Sequence, residues 1–374
     1  MPPDTMVVAS LVALSLSLLG GAQPPVVTAA AAEPLPRLKT EGRGLVTDPG
    51  GREVVLRGAN IMASEWERDM DWERRALPML AGAWKGNVVV RGFAADPVNA
   101  RDPTYLAWLD EYVGLAEANR VYVVFVFRSY AIDRGQPRMP GRRAQRALAF
   151  LAGRYRDKTN VIYGLQVEPH DVGWRTLRPR FEAMVDAIHA AAAPYRPIVL
   201  VPGIRWSRDL SPAITDPVRR RNVVYKTHPY APARKFERYF GRAHAAGLPV
   251  FVGEFGNAPA IGMRMSDVDA LLRYTRKRRI GWAAWIFDSR GSPALLASRD
   301  GTPTIPYGLA VKVAMMTPGR VLSAEADAGS RPRPECSTGA TALRLAPWGL
   351  RRRSGRRRSP ATSCRPLASV RSDA

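Results

Sequence analysis

Two carboxylates stand out by the sequence that carries them. VFVGEFG (Val250–Gly256) is a short apolar run that ends in a lone Glu254. A strand this apolar reads as buried on both faces, as in a parallel sheet. A carboxylate is costly inside such a core, so Glu254 is expected at the strand's C-terminal mouth, facing a cleft. VIYGLQVEPH (Val161–His170) repeats the pattern: an apolar strand that ends at Glu168, with Pro169 to stop it. Two acids so placed on parallel strands point to a catalytic pair, one protonated and one ionised. The alternative is that both are salt-bridged scaffold groups.

The elements that must hold these acids recur along the chain. Eight segments read as strands: Val54–Asn60, Asn87–Phe93, Val121–Phe127, Val161–Val167, Pro197–Val201, Val223–Lys226, Pro249–Glu254 and Ile280–Phe287. Most are separated by helix-length stretches. Tyr105, Trp108, Leu109 and Tyr112 share one helical face, as do Phe181, Met184, Val185 and Ile188. Ser266 with Asp269 resembles a capping box, and Tyr307–Met316 reads as a closing helix. Asp48–Gly51 is a proline-glycine turn between two β-like segments, a hairpin signal. Eight β/α units in roughly 260 residues predict an α/β fold, a (β/α)8 TIM barrel with a short N-terminal β-hairpin. An open doubly wound sheet is the other candidate, but it usually carries a glycine-rich phosphate loop after its first strand, and none is present here.

The ends of the chain differ from its centre. Met6–Leu19 is apolar, followed by Gly20, Gly21 and alanine-rich sequence to Ala32, with Asp4 as the one charged side chain before it. This is the pattern of a secretory signal peptide over residues 1–32; an uncleaved anchor is the alternative. Residues 33–316 form the predicted catalytic barrel. Residues 317–374 are rich in Arg, Ser, Pro and Ala without apolar periodicity, and are predicted to be a disordered tail. The formal charge of the chain is +23, which raises a nucleic-acid reading. The tail alone holds twelve arginines and four acids, and arginine's excess over lysine looks like GC-rich coding bias. No nucleic-acid partner is therefore expected. The RRRSGRRRS run could hold anionic polymers by charge alone, or have no selected role. Cys336 and Cys364 both lie in the tail, and none of the four histidines has HExxH-like spacing. Neither a metal site nor a cofactor is expected.

In a barrel, residues at the C-terminal strand ends face the active site. Here they are Arg91, Glu168, His228, Tyr230, Glu254 and Trp285. Each has a use in glycoside hydrolysis, which needs one protonated carboxyl and one ionised carboxylate across the scissile bond. Glu168 and Glu254 supply the pair. Arg91 is expected beside Glu254, keeping it ionised, and Tyr230 could orient it. Trp285 offers a flat face for a pyranose ring, and His228 could bind sugar hydroxyls or tune Glu168. Trp66, Trp174 and Trp206 fall in loops where they could line further subsites or simply pack.

From about Leu45 to Met316 the chain resembles glycoside hydrolase family 5, the cellulase-type family of retaining (β/α)8 glycosidases. The resemblance is carried by LRGAN, VVVRGF, VEPH where the family usually shows Asn-Glu-Pro, THPY, VFVGEFG and WAAWIFD. It implies that Glu168 is the acid/base and Glu254 the nucleophile. It places Arg91, His228, Tyr230 and Trp285 around the cleaved bond. Arg128, in FRSY, is a candidate for the place where many relatives carry a histidine. The resemblance also implies a secreted, monomeric enzyme acting on poly- or oligosaccharide of the β-glucan or β-mannan type, without stable membrane insertion after signal cleavage.

One departure bears on activity. Val167 stands where the family has the asparagine expected to hydrogen-bond the sugar 2-hydroxyl, a contact that strengthens in the transition state. Losing even ~3 kcal/mol there slows turnover roughly a hundredfold. Strand alternation points the neighbouring Gln166 elsewhere. A catalytically impaired, carbohydrate-binding barrel is therefore the second reading.

Overall fold

The computed structural model describes residues 34–61, 69–128 and 137–317. The predicted signal peptide, Trp66 and the tail beyond Thr317 lie outside the described residues. Three short strands open the described chain: β1 (Arg37–Glu41), β2 (Gly44–Asp48) and β3 (Glu53–Val54), paired antiparallel in that order. The expected turn at Asp48–Gly51 joins β2 to β3, with Gly50 and Gly51 at positive φ.

Eight parallel strands follow and close into a barrel: β4 (Arg57–Asn60), β5 (Val88–Phe93), β6 (Tyr122–Phe127), β7 (Val161–Gly164), β8 (Val199–Pro202), β9 (Val223–Thr227), β10 (Val250–Val252) and β11 (Gly281–Ala284). Each pairs with the next, and β11 pairs with β4. The predicted first strand, Val54–Asn60, divides in two. Val54 pairs with Leu45 in the small sheet, whereas Arg57 begins the barrel and its N–H reaches the Asn87 side chain at 2.7 Å.

Strand alternation sorts the apolar residues into two clusters. Val88, Val90, Val124, Val126, Ile162, Leu200, Val224, Phe251 and Ala283 fill the barrel interior. Leu38 and Leu45 of the small sheet join them, so that sheet closes the end of the barrel opposite the strand C-termini. Val89, Phe93, Val123, Phe125, Val199, Tyr225, Val252 and Trp282 pack outward against the helices. Both predicted helical faces are buried in that outer layer, on helices Pro103–Ala118 and Trp174–Ala191. The helix predicted to start near Ser266 spans Met265–Arg278. Its reciprocal cap comes from Asp267, which accepts from the Arg264 N–H at 3.0 Å, so Ser266 falls inside the first turn. Among the described residues no helix is long and apolar enough to cross a membrane.

Arg91 belongs to the outer layer. It shares β5 parity with Val89 and Phe93, and its Nε donates to Glu73 Oε1 at 3.1 Å. The second Glu73 oxygen accepts from Trp108 Nε1 at 2.9 Å, and the guanidinium lies 4.7 Å from the Trp108 ring centre. Arg91 and Glu73 are both fully buried. Burial pushes the Glu73 carboxyl above its ordinary range, and Arg91 pulls it back. Removing one partner of such a pair leaves an uncompensated charge in the core. Glu73→Ala is therefore expected to cost about 3–5 kcal/mol in urea denaturation, while Glu73→Leu combined with Arg91→Leu recovers most of the loss. A cost of ~1 kcal/mol or less, as for an exposed pair, would contradict this.

Candidate active site

Five of the six predicted site residues gather at the C-terminal ends of neighbouring strands. Glu168 follows β7, His228 follows β9, Glu254 follows β10, and Trp285 follows β11. One oxygen of each carboxylate and a ring nitrogen of His228 lie within 4.8 Å of one another. His228 Nδ1 is 2.8 Å from Glu168 Oε1 and 3.7 Å from Glu254 Oε2. Tyr230 is buried beside them. Its phenol is pushed well above its ordinary value, first by burial and then by the charge of Glu254.

The cation beside Glu254 is Arg128, not Arg91. Arg128 Nη2 donates to Glu254 Oε1 at 3.0 Å, and its guanidinium carbon lies 5.0 Å from the Trp285 ring centre. The reason is parity. Val124 and Val126 face inward on β6, so Arg128 two residues on does too, whereas Arg91 is out of step with the inward Val88 and Val90. Gly92, at an inward position, leaves the room: a Cβ there would sit 3.2 Å from Arg128 Cδ.

Burial shapes the protonation of this cluster. Glu168 is raised above the usual carboxylate range, chiefly by desolvation, with Arg128, Lys226, Arg208 and His170 opposing. His228 is lowered to about 3, again mainly by desolvation, so its ring is neutral at neutral pH. Lys226, on β9 and almost fully buried, was not singled out by the sequence. It is lowered to about 7 by the same cause. Glu168, His228 and Glu254 offer ligand types that a divalent cation accepts. Arg128 on Glu254 and Lys226 below oppose one by charge.

The segment before Glu168 is held by its backbone. Val167 N–H donates to Phe127 O at 3.0 Å, and Val167 O accepts from Ser207 Oγ at 2.8 Å. The Val167 side chain is buried in the interior cluster. Gln166 Nε2 donates to Pro137 O at 2.5 Å, while its Oε1 has no hydrogen-bond partner among the described residues.

The tryptophans divide. Trp174 is buried, its Nε1 donating to Asp216 O at 2.7 Å, so it packs. Trp206 is 43% exposed and stacks on His170, with ring centres 4.0 Å apart and planes 3° from parallel. It sits in a turn where Arg205, Trp206 and Ser207 all adopt the left-handed conformation. Its N–H donates to Pro169 O at 2.9 Å, which ties the turn to the residue after Glu168.

The family described as Cellulase (glycosyl hydrolase family 5) matches residues 49–291. Endoglucanase Z of Dickeya dadantii is 26% identical over 262 residues, covering 66% of this chain and 58% of that protein. Endoglucanase CelA of Streptomyces lividans is 29% identical over 264 residues, covering 67% and 56%. The chain thus spans little more than half the length of these relatives. Among solved structures, a β-glucanase from Saccharophagus degradans in complex with cellotetraose superposes with a TM-score of 0.66 at 20% identity, covering 79% of this chain and 97% of that one. The catalytic domain of Thermobifida fusca endoglucanase Cel5A gives 0.63 at 21% identity, covering 75% and 97%. These likenesses show the fold.

The state of His228 is directly measurable. In a histidine-labelled NMR titration its ring is expected to stay neutral well below the ordinary value of 6.5 and to titrate only near about 3. A midpoint close to 6.5 would mean that the ring is more hydrated than this packing allows.

Proposed function

The chain belongs to the cellulase family, glycosyl hydrolase family 5, and on that premise we propose that it is a secreted hydrolase of β-linked glucan or mannan working by double displacement. The observation that carries this reading is the pairing of Glu168 and Glu254, whose nearest oxygens lie within 4.8 Å. Retaining glycosidases hold their two carboxyl groups about 5–5.5 Å apart, too close for a water to sit between one carboxylate and the sugar. The apolar, alanine-rich pattern of residues 1–32 supports export.

In this reading each step is assigned a residue. Glu168, whose hold on its proton burial strengthens, donates that proton to the glycosidic oxygen as the bond to the anomeric carbon breaks. Glu254, positioned by Arg128, attacks that carbon from the opposite face and forms a covalent glycosyl ester. Glu168, now a carboxylate, takes a proton from water, whose oxygen displaces Glu254 and releases the sugar. His228, neutral, holds Glu168 at 2.8 Å through both half-reactions. Trp285 packs against the sugar whose bond is cut, and exposed Trp206 offers a face to the leaving side of the chain. The cellotetraose bound by the Saccharophagus enzyme favours a β-glucan among the substrates.

Val167 favours the second reading, a barrel that binds sugar and cuts it slowly. Its side chain is committed to the interior cluster and has no polar atom to offer a hydroxyl. Two substitutions separate the readings. Glu254→Gln is expected to abolish reducing-sugar release from β-glucan and mannan while circular dichroism shows an intact fold; wild-type activity in that variant would refute the assignment. Val167→Asn is expected to raise kcat by roughly tenfold or more if a 2-hydroxyl contact is what the site lacks. Absence of hydrolysis both before and after that change would favour binding alone.

A further inference from the structure

Below the carboxylate pair the barrel interior holds a further charged group. Lys226 sits on β9 in step with inward-facing Val224, between Pro202 and Phe251 of the adjoining strands, and is 3% exposed. Its surroundings are otherwise apolar, with Leu200, Val224, Phe251 and Val167 in the same interior cluster. An ammonium here has given up its hydration, so its protein contacts must replace water. Those contacts are specific. Nζ donates to Gln166 O at 2.8 Å and to Val167 O at 2.9 Å, the two carbonyls immediately before Glu168.

The stem of Lys226 also passes under the other acid. A Cβ on Gly253, the residue before Glu254, would lie 2.7 Å from both Cγ and Cδ of Lys226 and 2.9 Å from His228 Nε2. Glycine at 253 is thus required by the lysine and the histidine together. Val167 O is shared with Ser207 Oγ, and Ser207 O accepts the His228 N–H at 2.9 Å. One ammonium therefore ties the strand end bearing Glu168 to the turn bearing Trp206 and to the histidine between the acids.

We propose that Lys226 is a positioning residue of the reaction: it fixes the Gln166–Glu168 segment through its two carbonyls and supplies a positive charge from beneath the carboxylate pair. This rests on the hydrolase reading above. The other groups facing the pair are Arg128, Arg208, His170, His228 and Tyr230, and of these the His228 ring and the Tyr230 phenol are neutral. Lys226 opposes the rise of Glu168, and with its own titration near about 7 that charge is present in acid and fades above neutrality. Removing the charge lifts Glu168 further, so the high-pH limb of activity, where Glu168 loses its proton, moves upward.

The test uses the full chain with Lys226→Met and Lys226→Gln. Methionine fills the space but removes both the charge and the carbonyl contacts. Glutamine removes the charge and keeps an amide donor. Lys226→Met is expected to lower kcat roughly tenfold or more on β-glucan with KM little changed. Its high-pH limb and the carbon-13 titration of the Glu168 carboxyl both shift upward. Lys226→Gln is expected to recover part of the lost kcat while showing the same upward shifts. A Lys226→Met protein that melts cooperatively yet keeps the wild-type kcat and pH profile overturns the proposal. Should it fail to fold, Lys226→Gln decides by the same readouts. Absence of hydrolysis by the wild-type protein would sink the hydrolase reading instead. The Glu168 titration then decides the proposal by itself, an unmoved midpoint in the variants overturning it.

Discussion

Balanced burial of charge at one end of the barrel is the constraint on which the rest depends. Glu254, Arg128, His228 and Lys226 are each less than a tenth exposed, and Glu168 is mostly covered. Any one of the charged groups, taken alone out of water, costs several kcal/mol even after the protein relaxes. Two acids and two bases packed together offset much of that cost. The balance also dictates what His228 must be. A third cation beside Arg128 and Lys226 would add repulsion to its own desolvation, so the ring is driven neutral. A neutral ring can stay bonded to Glu168 whether that group holds its proton or not, by exchanging the roles of donor and acceptor.

The two acids were legible in the sequence because each ends an otherwise apolar strand, where a carboxylate is costly unless it faces a cleft or a partner. The barrel was legible for a related reason: eight runs buried on both faces require helices on the outside and each other on the inside. The same property hid the arginine. Where both faces of a strand are apolar, alternation leaves no mark that tells inward from outward, and Arg91 looked as well placed as Arg128. The structure supplies the missing phase. Gly92 and Gly253 fall at inward positions, and each leaves room for a long polar side chain from a neighbouring strand, Arg128 in one case and Lys226 in the other. In VVVRGF the glycine beside Arg91 thus marks the space that the inward-reaching Arg128 of the next strand fills.

Glu73 could not have been found this way. It lies within a helix whose sequence, MDWERRALPMLAG, is charged enough to read as solvent-facing, yet Glu73 is fully buried. Its burial follows from Arg91 and Trp108, which reach it across the layer between barrel and helices. Trp174 and Trp206 make the same point in reverse. Both follow strand ends, and only tertiary packing turns one against Asp216 and leaves the other stacked in the open on His170. Local pattern places a residue on an element; the partner's reach decides its use.

The placement of Glu168 depends on main chain more than on its neighbours' side chains. Val167 points into the apolar interior and the Gln166 amide turns to Pro137, so neither side chain orients Glu168. What holds the segment is a set of contacts to its carbonyls and N–H: Lys226 on two of them, Ser207 on one, Phe127 on another. A backbone held at successive residues transmits little rotational freedom to the side chain it carries, which leaves Glu168 with mainly its own torsions to fix. The imidazole at 2.8 Å takes up those. Substitution at residue 167 therefore acts first on the packing of the apolar interior, while substitution at Lys226 acts on the carbonyls that carry Glu168. The two effects have separate physical origins: one acts through a core side chain and the other through main-chain contacts and charge beneath the carboxyl.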